Sequence, residues 1–470
     1  MMDELNEKCA IFGIFGKGLD VSRLSFYGLF ALQHRGQESS GISVSDGWKI
    51  EAHKHMGLVT QAYGEDDIKR LKGHIAIGHN RYSTSAGTGL LHAQPVLSRD
   101  GSMALAHNGN LPSVAALEAF LNEKGIPTKD RTDSEMMADA IGYYMEKGRN
   151  VTDAITRAFP LFTGAFSVVV MTKDTLVAFR DHCGIRPLVM GKLNGGYVFA
   201  SETCAFATIG AEFIREVAPG EMVSVMERGV KSFKLAEPNQ KLDIFEFVYF
   251  ARPDSELLGQ SVYQVRRRCG EILAKENPLK VDMIVPVPET AIPVAVGYAA
   301  ATGIPFEMAI VKNRYIHRTF IEPDPHSRDL GVKLKLIPLP NVLKGKKIAL
   351  IDDSIVRGTT SAKLVKALFE AGAKEVHFMV SSPPVRFPDF YGIDTPQQAK
   401  LIAATKTIGE IGKFLGATSL HYLSLDGLIK ATGLPREQLS LSCFNGEYPV
   451  DILDRKAEIE YNQLTRPANC

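Results

Sequence analysis

The 470 residues contain no CxxC pair and no dense cysteine framework. The six cysteines (Cys9, Cys183, Cys204, Cys269, Cys443 and Cys470) are scattered, a usage that argues against a disulfide scaffold and fits free thiols in a reducing cytoplasm. An excess of one charge is missing too, since 54 Lys+Arg nearly cancel 53 Asp+Glu. With no global field, neither nucleic acid nor a membrane surface is an expected partner, and an anionic ligand must be held locally. Long apolar runs are lacking: the longest uncharged stretch, Thr290 to Phe306, is broken by Pro293, Gly297, Gly303 and Pro305, which suits a loop-helix-loop better than a membrane span. The opening MMDELNEKC is charged where a signal peptide would be apolar, so a cytoplasmic location is expected. No internal repeat or low-complexity tract interrupts the chain.

What is present divides in two, and the length allows it, at roughly 150 residues per domain. From Cys9 to about Val223, short strand-like runs (CAIFGIFG, HIAIGHN, MALAHN, AFSVVVM, YVFAS, MVSVM) alternate with helical stretches such as SVAALEAFL and SEMMADAIGYYM, the texture of an α+β layered domain. Beyond about Lys241, VDMIVPV leads into an apolar helical stretch. KKIALID then leads into TSAKLVKALFEAG and KEVHFMV, the strand-loop-helix-strand unit of a parallel α/β sheet. Leu364, Val365, Leu368 and Phe369 predict one helical face, and Gly372 stands where a C-cap belongs. The expected division is a pro-segment at 1–8, one domain at 9–240 and a second at 241–470.

The string IALIDDSIVRGTTS, 348 to 361, sets two carboxylates at the end of a buried strand before a small-residue loop that opens a helix. Ligands of such sheets bind at that strand end. Asp352 and Asp353 suit vicinal hydroxyls or a hydrated Mg²⁺, and Arg357, Gly358, Thr359 and Thr360 offer backbone N–H groups and hydroxyls to a phosphate. The pair of acids alone reads equally well as an N-cap cluster. The spacing is not that of a P-loop, which needs Gly-Lys-Ser/Thr at the helix start.

The whole string closely resembles the phosphoribosyl pyrophosphate signature of the type I phosphoribosyltransferases. That resemblance implies ribose hydroxyls and Mg²⁺ on Asp352 and Asp353, and the 5-phosphate on Ser354, Ile355, Val356, Arg357, Gly358, Thr359 and Thr360. It implies a pyrophosphate loop in VPVPETAIPVAVGYA, at Glu289 and Thr290, where this chain departs from the more usual acid-Ser-Gly. The segment 312 to 335 carries six Lys/Arg (Lys312, Arg314, Arg318, Arg328, Lys333 and Lys335). It reads either as a solvated loop or as a lid that excludes water from departing pyrophosphate. Its likeness to the flexible loop of glutamine-dependent members favours the lid, with Arg328 and Lys333 as its cations.

A cysteine near an N-terminus is usually a small buried residue. Cys9 is singled out by the polar strings QHRGQESSGI, GHNRYSTSAG, AHNGNL and RTDSE, which interrupt apolar segments where packing does not require them. Together they closely resemble the class II glutamine amidotransferase domain, an αββα N-terminal-nucleophile hydrolase. The resemblance implies Cys9 as nucleophile with its own α-amine as base, once Met1 to Lys8 are removed. It places the glutamine α-carboxylate on Arg81 and the α-ammonium on Asp133. Asn108 and Gly109 become the oxyanion donors, and Arg35 organises the surroundings of the nucleophile. Ala10 stands where the family commonly has Gly, and the remaining cysteines are expected to be structural.

The two resemblances cover almost the whole chain and imply one reaction. Ammonia from glutamine reaches phosphoribosyl pyrophosphate, giving phosphoribosylamine, glutamate and pyrophosphate, the committed step of purine synthesis. Homotetramers and feedback by purine nucleotides come with the resemblance. Tyr249 and Arg252, in the joining string FEFVYFARPDS, are candidates for coupling the sites or for plain interdomain packing. A sensor using the sugar-phosphate pocket without transfer is the alternative from another class, and an amino-sugar synthase would need a different second half. Many relatives carry an iron–sulfur cluster, and three of its four cysteine positions here read Asp243, Asp389 and Ser440, leaving Cys443. No cluster is therefore expected.

Overall fold

In the strand Cys9–Phe15, Ala10, Phe12 and Ile14 pack with Val21, Leu29 and Leu32 on one side. Ile11 and Phe15 pack with Ile75, Ile77, Ala104, Ala106 and Val169 on the other. A strand apolar on both faces must lie between two layers. The computed structural model of the protein describes residues 6–7, 9–82, 89–313, 336–395 and 397–465, and among them this strand is the centre of a seven-stranded antiparallel sheet. Its order is Glu212–Glu216, Val189–Leu193, Gly196–Ala200, Cys9–Phe15, Ile75–Arg81, Ser39–Ser45, Ile50–Met56. A six-stranded antiparallel sheet faces it: Gly229–Lys234, Glu221–Met226, Leu176–Arg180, Thr163–Met171, Ala104–Ser113, Val96–Leu97. Helix Val21–Ala31 covers the first sheet. Helices Ala115–Glu123, Asp133–Glu146 and Val151–Ala158 cover the second, so the layers run αββα as expected.

The second half is built on parallel strands, in the order Met283–Pro286, Lys347–Asp352, Glu375–Val380, Ser419–Tyr422. Ile284, Ala349, Ile351 and Met379 face helices Val262–Glu276 and Ile292–Thr302. Val285, Ile348, Leu350, Val376 and Phe378 face helices Thr359–Glu370 and Ile408–Leu415. Burial on both faces accounts for strand sequences that read as continuous apolar runs. The face expected on helix Thr359–Glu370 is narrower than its periodicity suggests. Leu364, Val365 and Leu368 are buried, but Phe369, one residue from the end, is 37% exposed.

Between the halves, strand Gly229–Lys234 still belongs to the first domain's sheet, whereas Leu242–Asp243 pairs in parallel with Leu439–Ser440. The joining string then makes a short π-helix, Glu246–Phe250. The buried guanidinium of Arg266 holds its carbonyls, donating from Nε to Phe247 O and from Nη2 to Ala251 O, both at 2.8 Å. No helix among the described residues is long and apolar enough to cross a membrane.

Helices Val262–Glu276 and Ile292–Thr302 touch backbone to backbone through two glycines. A Cβ on Gly270 would lie 1.9 Å from Val294 O, and one on Gly297 1.9 Å from Arg267 O. Neither neighbour is a side chain that can swing away, so the helices must move apart. Gly270→Ala or Gly297→Ala should each destabilise the second half by about 3 kcal/mol, read as a lower urea midpoint. An unchanged midpoint would show that the contact yields freely.

Candidate active site

Cys9 begins the central strand, buried, in register with Arg81 on the neighbouring strand. Because the side-chain period is two, Cys9 falls on the same inner side as Ile11 and Phe15, between the sheets. Arg81 is paired across its other edge with Ser39. Its Nη1 is 3.8 Å from Oε1 of Glu38, a carboxylate that burial pushes above its usual range. The sequence reading did not single out Glu38, although it lies within QHRGQESSGI.

Asn108 lies on strand Ala104–Ser113, which contacts the Cys9 strand across the inner layer. It shares the parity of Ala104 and Ala106, which face that layer. Asn108 is fully buried, and neither Oδ1 nor Nδ2 has a hydrogen-bond partner among the described residues. A buried amide left so costs about 1–3 kcal/mol, which points to a partner supplied by a ligand. The neighbouring Gly109 has φ 149°, and a Cβ there would meet Ala165 O at 2.0 Å, so this turn of the strand admits only glycine. Asp133 is the first residue of helix Asp133–Glu146, behind a Thr132/Glu135 capping box. Its carboxylate accepts from Ser134 N at 2.7 Å and Leu111 N at 3.3 Å. The cap therefore sets the carboxylate at the end of the Asn108 strand.

In the second half, Asp352 ends its strand and Asp353 follows it. Asp352 Oδ1 accepts from Asp353 N at 2.9 Å, and Asp353 Oδ1 accepts from Ser354 Oγ at 2.8 Å. Ile355 and Val356 anchor opposite sides of the loop in the two apolar clusters that flank the sheet, and Val356 O accepts from Ile402 N at 2.9 Å. Gly358, at φ 77°, turns the chain into the helix that begins with Thr359 and Thr360. The loop with Glu289 and Thr290 is tied to the same strand end, Val287 N donating to Ile351 O at 2.8 Å. Lys312 Nζ reaches Glu289 Oε2 at 3.5 Å. Arg328 and Lys333, with the rest of 314–335, lie outside the described residues, as do 1–5 and Lys8 of the pro-segment.

Arg35 is placed otherwise than an organiser of the nucleophile alone. Its fully buried guanidinium bonds Glu202 and, from Nη2 at 2.8 Å, Glu246 of the joining string. Glu202 in turn accepts from Ser255 Oγ at 2.6 Å and from Arg252 N at 2.9 Å. The Arg252 side chain pairs with Asp254 and donates to Ala31 O, and Tyr249 packs on the second domain's core. Burial would raise Glu202, yet His34 and Arg35 hold it well below the usual carboxylate range. Burial raises Glu246 to about 7 against the pull of Arg35. Sequence reading missed Glu202 and Glu246, whose signal was a lone acid inside an apolar string.

The four positions Asp243, Asp389, Ser440 and Cys443 are all buried. Asp243 is in register with Ser440 and accepts from Phe245 N and, at 3.2 Å, from Arg186 Nη1. Asp389 accepts from Tyr391 N and Ile393 N. Two carboxylates and a hydroxyl, with the Arg186 guanidinium beside Asp243, are a donor set that does not fit an iron–sulfur cluster. Among the described residues no group of three or more His, Cys, Asp or Glu is disposed to hold a metal. Burial, Asp389 and Asp243 push the Cys443 thiol up, and burial first pushes up those of Cys183 and Cys269, each to about 12.

The family model of a glutamine amidotransferase domain matches residues 79–208, and that of a phosphoribosyl transferase domain matches 259–391. The chain is 48% identical over 457 residues to an amidophosphoribosyltransferase of Synechococcus elongatus, covering 96% of this chain and 93% of that one. It is 42% identical to that of Bacillus subtilis, covering 95% of each. A solved structure described as the allosteric regulatory enzyme of purine biosynthesis superposes with TM-score 0.89 at 41% identity, over 95% of this chain and 97% of that one. The Bacillus subtilis glutamine phosphoribosylpyrophosphate amidotransferase complexed with ADP and GMP gives 0.88 at 41% identity, over 95% and 98%.

Burial and then the Asp389 carboxylate raise the Asp243 carboxyl well above its ordinary value. Between the ordinary and raised values the folded chain holds more protons than the unfolded one, so stability falls as pH rises through that window. Asp243→Asn should flatten the decline of stability with rising pH above the ordinary carboxylate range, measured by urea unfolding. Parallel profiles for the two proteins would contradict it.

Proposed function

The chain belongs to the amidophosphoribosyltransferase family, and from that premise we propose how its residues carry out the reaction. The enzyme converts glutamine, phosphoribosyl pyrophosphate and water to 5-phosphoribosylamine, glutamate and pyrophosphate, the first committed step of purine synthesis. The observation that carries the residue assignment is the buried Asn108 amide, without a hydrogen-bond partner among the described residues, in the layer that Cys9 faces.

With residues 1–8 removed, the Cys9 α-amine takes the thiol proton and Sγ attacks the glutamine carboxamide carbon. Asn108 Nδ2–H and Gly109 N–H donate to the oxyanion. The proton returns to the leaving nitrogen, ammonia departs, and water hydrolyses the thioester to glutamate. Arg81 holds the substrate carboxylate as a guanidinium fork, and Asp133 takes its ammonium. Asp352 and Asp353 orient the ribose hydroxyls, and the loop from Ser354 to Thr360 holds the 5-phosphate at a helix N-terminus. Glu289 and Thr290 border the pyrophosphate, and Arg328 and Lys333, outside the described residues, are the cations assigned to it. Ammonia attacks the anomeric carbon and pyrophosphate leaves.

Two carboxylates at a strand end, short of a full protein cage, suit Mg²⁺, which is commonly bound by one or two carboxylates and substrate phosphates. Asp352 and Asp353 would hold it, and it would neutralise charge on the departing pyrophosphate. The domain division falls at 240/241. A cytoplasmic homotetramer inhibited by purine nucleotides completes the reading, supported for the nucleotides by the Bacillus subtilis relative solved with ADP and GMP.

The assignment predicts a double dissociation. Cys9→Ala should abolish glutamine use yet keep synthesis from added ammonia at raised pH, and Asn108→Ala should lower the glutaminase kcat on the order of 10²–10³-fold. Asp353→Asn should remove transfer while basal glutaminase survives. Loss of both activities in Cys9→Ala, or full transfer in Asp353→Asn, would refute separate sites. The buried oxygens at the former cluster positions lead to a further expectation, that anaerobic purification yields neither stoichiometric iron nor acid-labile sulfide. Both present in equal amount would show that reading to be wrong.

A further inference from the structure

The described part of the pro-segment, Asn6–Glu7, is paired with the second domain. It forms a two-stranded antiparallel sheet with Ile393–Asp394, Asn6 opposite Asp394 and Glu7 opposite Ile393. Opposite residues of such a ladder alternate between exchanging both backbone bonds and exchanging neither. Ile393 N is spent on Asp389 Oδ1 at 3.1 Å, and Ile393 O accepts from Thr395 N at 3.0 Å, so the exchanging pair is Asn6 with Asp394. The edge that receives the segment is braced by its own loop. Asp389 Oδ1 also accepts from Tyr391 N at 2.7 Å, and Asp389 N donates to Thr395 Oγ1 at 2.7 Å, which closes 389–395 on itself with Tyr391 and Ile393 buried. Gly392, next to that edge, lies against Gly109 of the first domain. Two residues after Glu7, Cys9 enters the first domain's sheet opposite Arg81. Only Lys8, outside the described residues, separates the two ladders.

We propose that the second domain positions the pro-segment for its removal: the Ile393–Asp394 edge takes Asn6–Glu7 as an added strand and so presents the Lys8–Cys9 peptide for hydrolysis. The oxygen of a water bonds to the Lys8 carbonyl carbon and the C–N bond breaks. One proton of the water passes to the Cys9 nitrogen and the other to solvent, leaving a Lys8 carboxylate and a neutral Cys9 α-amine. Anchored at Glu7 and again at Cys9, that bond is spared the conformational search of a free tail. The grip is by backbone, so it requires no particular side chain in the pro-segment. A two-residue ladder is marginal alone and stands because the chain tethers it; once the bond is cut the tether is gone and the cut segment leaves. The proposal rests on the reading that residues 1–8 are removed to free the Cys9 amine.

The test is the fraction of full-length chains that begin at Cys9, followed by intact mass over time after synthesis. Proline has no N–H to give to a ladder. Asn6→Pro, a change absent from the mature enzyme, should slow removal on the order of tenfold, and Asp394→Pro on the receiving strand should do the same. Asn6→Ala and Asp394→Ala keep the N–H and should match the wild type. A chain in which a single removable Met replaces residues 1–8 should carry full glutaminase activity with Asp394→Pro in place, because the edge acts only before cleavage. Removal at the wild-type rate in either proline variant, equal slowing by proline and alanine, or loss of glutaminase in the Met-started chain would overturn the proposal. Should Asp394→Pro fail to fold by circular dichroism, Asn6→Pro decides. Failure of the underlying reading is distinguishable, since the wild type would then keep residues 1–8 and still hydrolyse glutamine.

Discussion

A guanidinium shut away from water, that of Arg35, is held by a carboxylate from each side of the chain, Glu202 in the first domain and Glu246 in the joining string. Isolating such a charge is costly. It is tolerated only where partners sit at hydrogen-bond distance, and removing one partner of a buried pair typically costs about 3–5 kcal/mol. Arg186 repeats the arrangement with Glu246 and Asp243. Two cations thus face three acids, of which Asp243 retains its proton well above the ordinary range and Glu246 up to about 7. One proton held among the three acids brings the knot to neutrality. The relative placement of the two domains follows from it, since sliding one against the other would strand charges in an apolar interior.

Around that knot, period-two alternation does the positioning. Cys9 and Arg81 are cross-strand neighbours, and Asn108 faces the same inner layer from the opposite sheet. The outward sides of those strands carry the apolar residues that seat the covering helices. A one-residue slip of the Cys9 strand would turn the thiol out and put Ala10 into the inner layer. The register is thus determined by Phe12, Ile14, Ile11 and Phe15 rather than by any polar residue of the site.

Much of this is legible in the sequence. The layered α+β half and the parallel half followed from strand-like runs and from the strand-loop-helix unit, because those patterns are local. Asp352 and Asp353 could be placed at a strand end since KKIALID is an apolar run that stops there. Glu202 and Glu246 were not legible as partners: they lie 44 positions apart in number, and Arg35 lies far upstream of both. Only the fold closes such distances. Arg35 could be picked out as an unusual cation but not assigned its partners. Phe369 was misjudged because periodicity says nothing of where a helix ends relative to the layer it covers.

A second contact between the halves lies beside the Asn108–Gly109 turn. Asn110 Nδ2 donates to Phe390 O at 2.8 Å, and Gly392, at φ 125°, passes so close to Gly109 that a Cβ would lie 3.4 Å from its Cα. Arg81 faces Glu38, three residues beyond the Arg35 that Glu246 holds, and the Asn108–Gly109 turn is braced through Phe390 and Gly392. In the proposed mechanism Arg81 holds the substrate's carboxylate and the turn its reacting carbonyl. A first domain separated from the second would keep its four layers, because its three apolar clusters are made of its own residues. It would lose the Phe390 and Gly392 contacts, and with Glu246 gone its buried Arg35 would keep only part of its compensation. The glutaminase is in this sense a domain whose core is its own and whose pocket is shared.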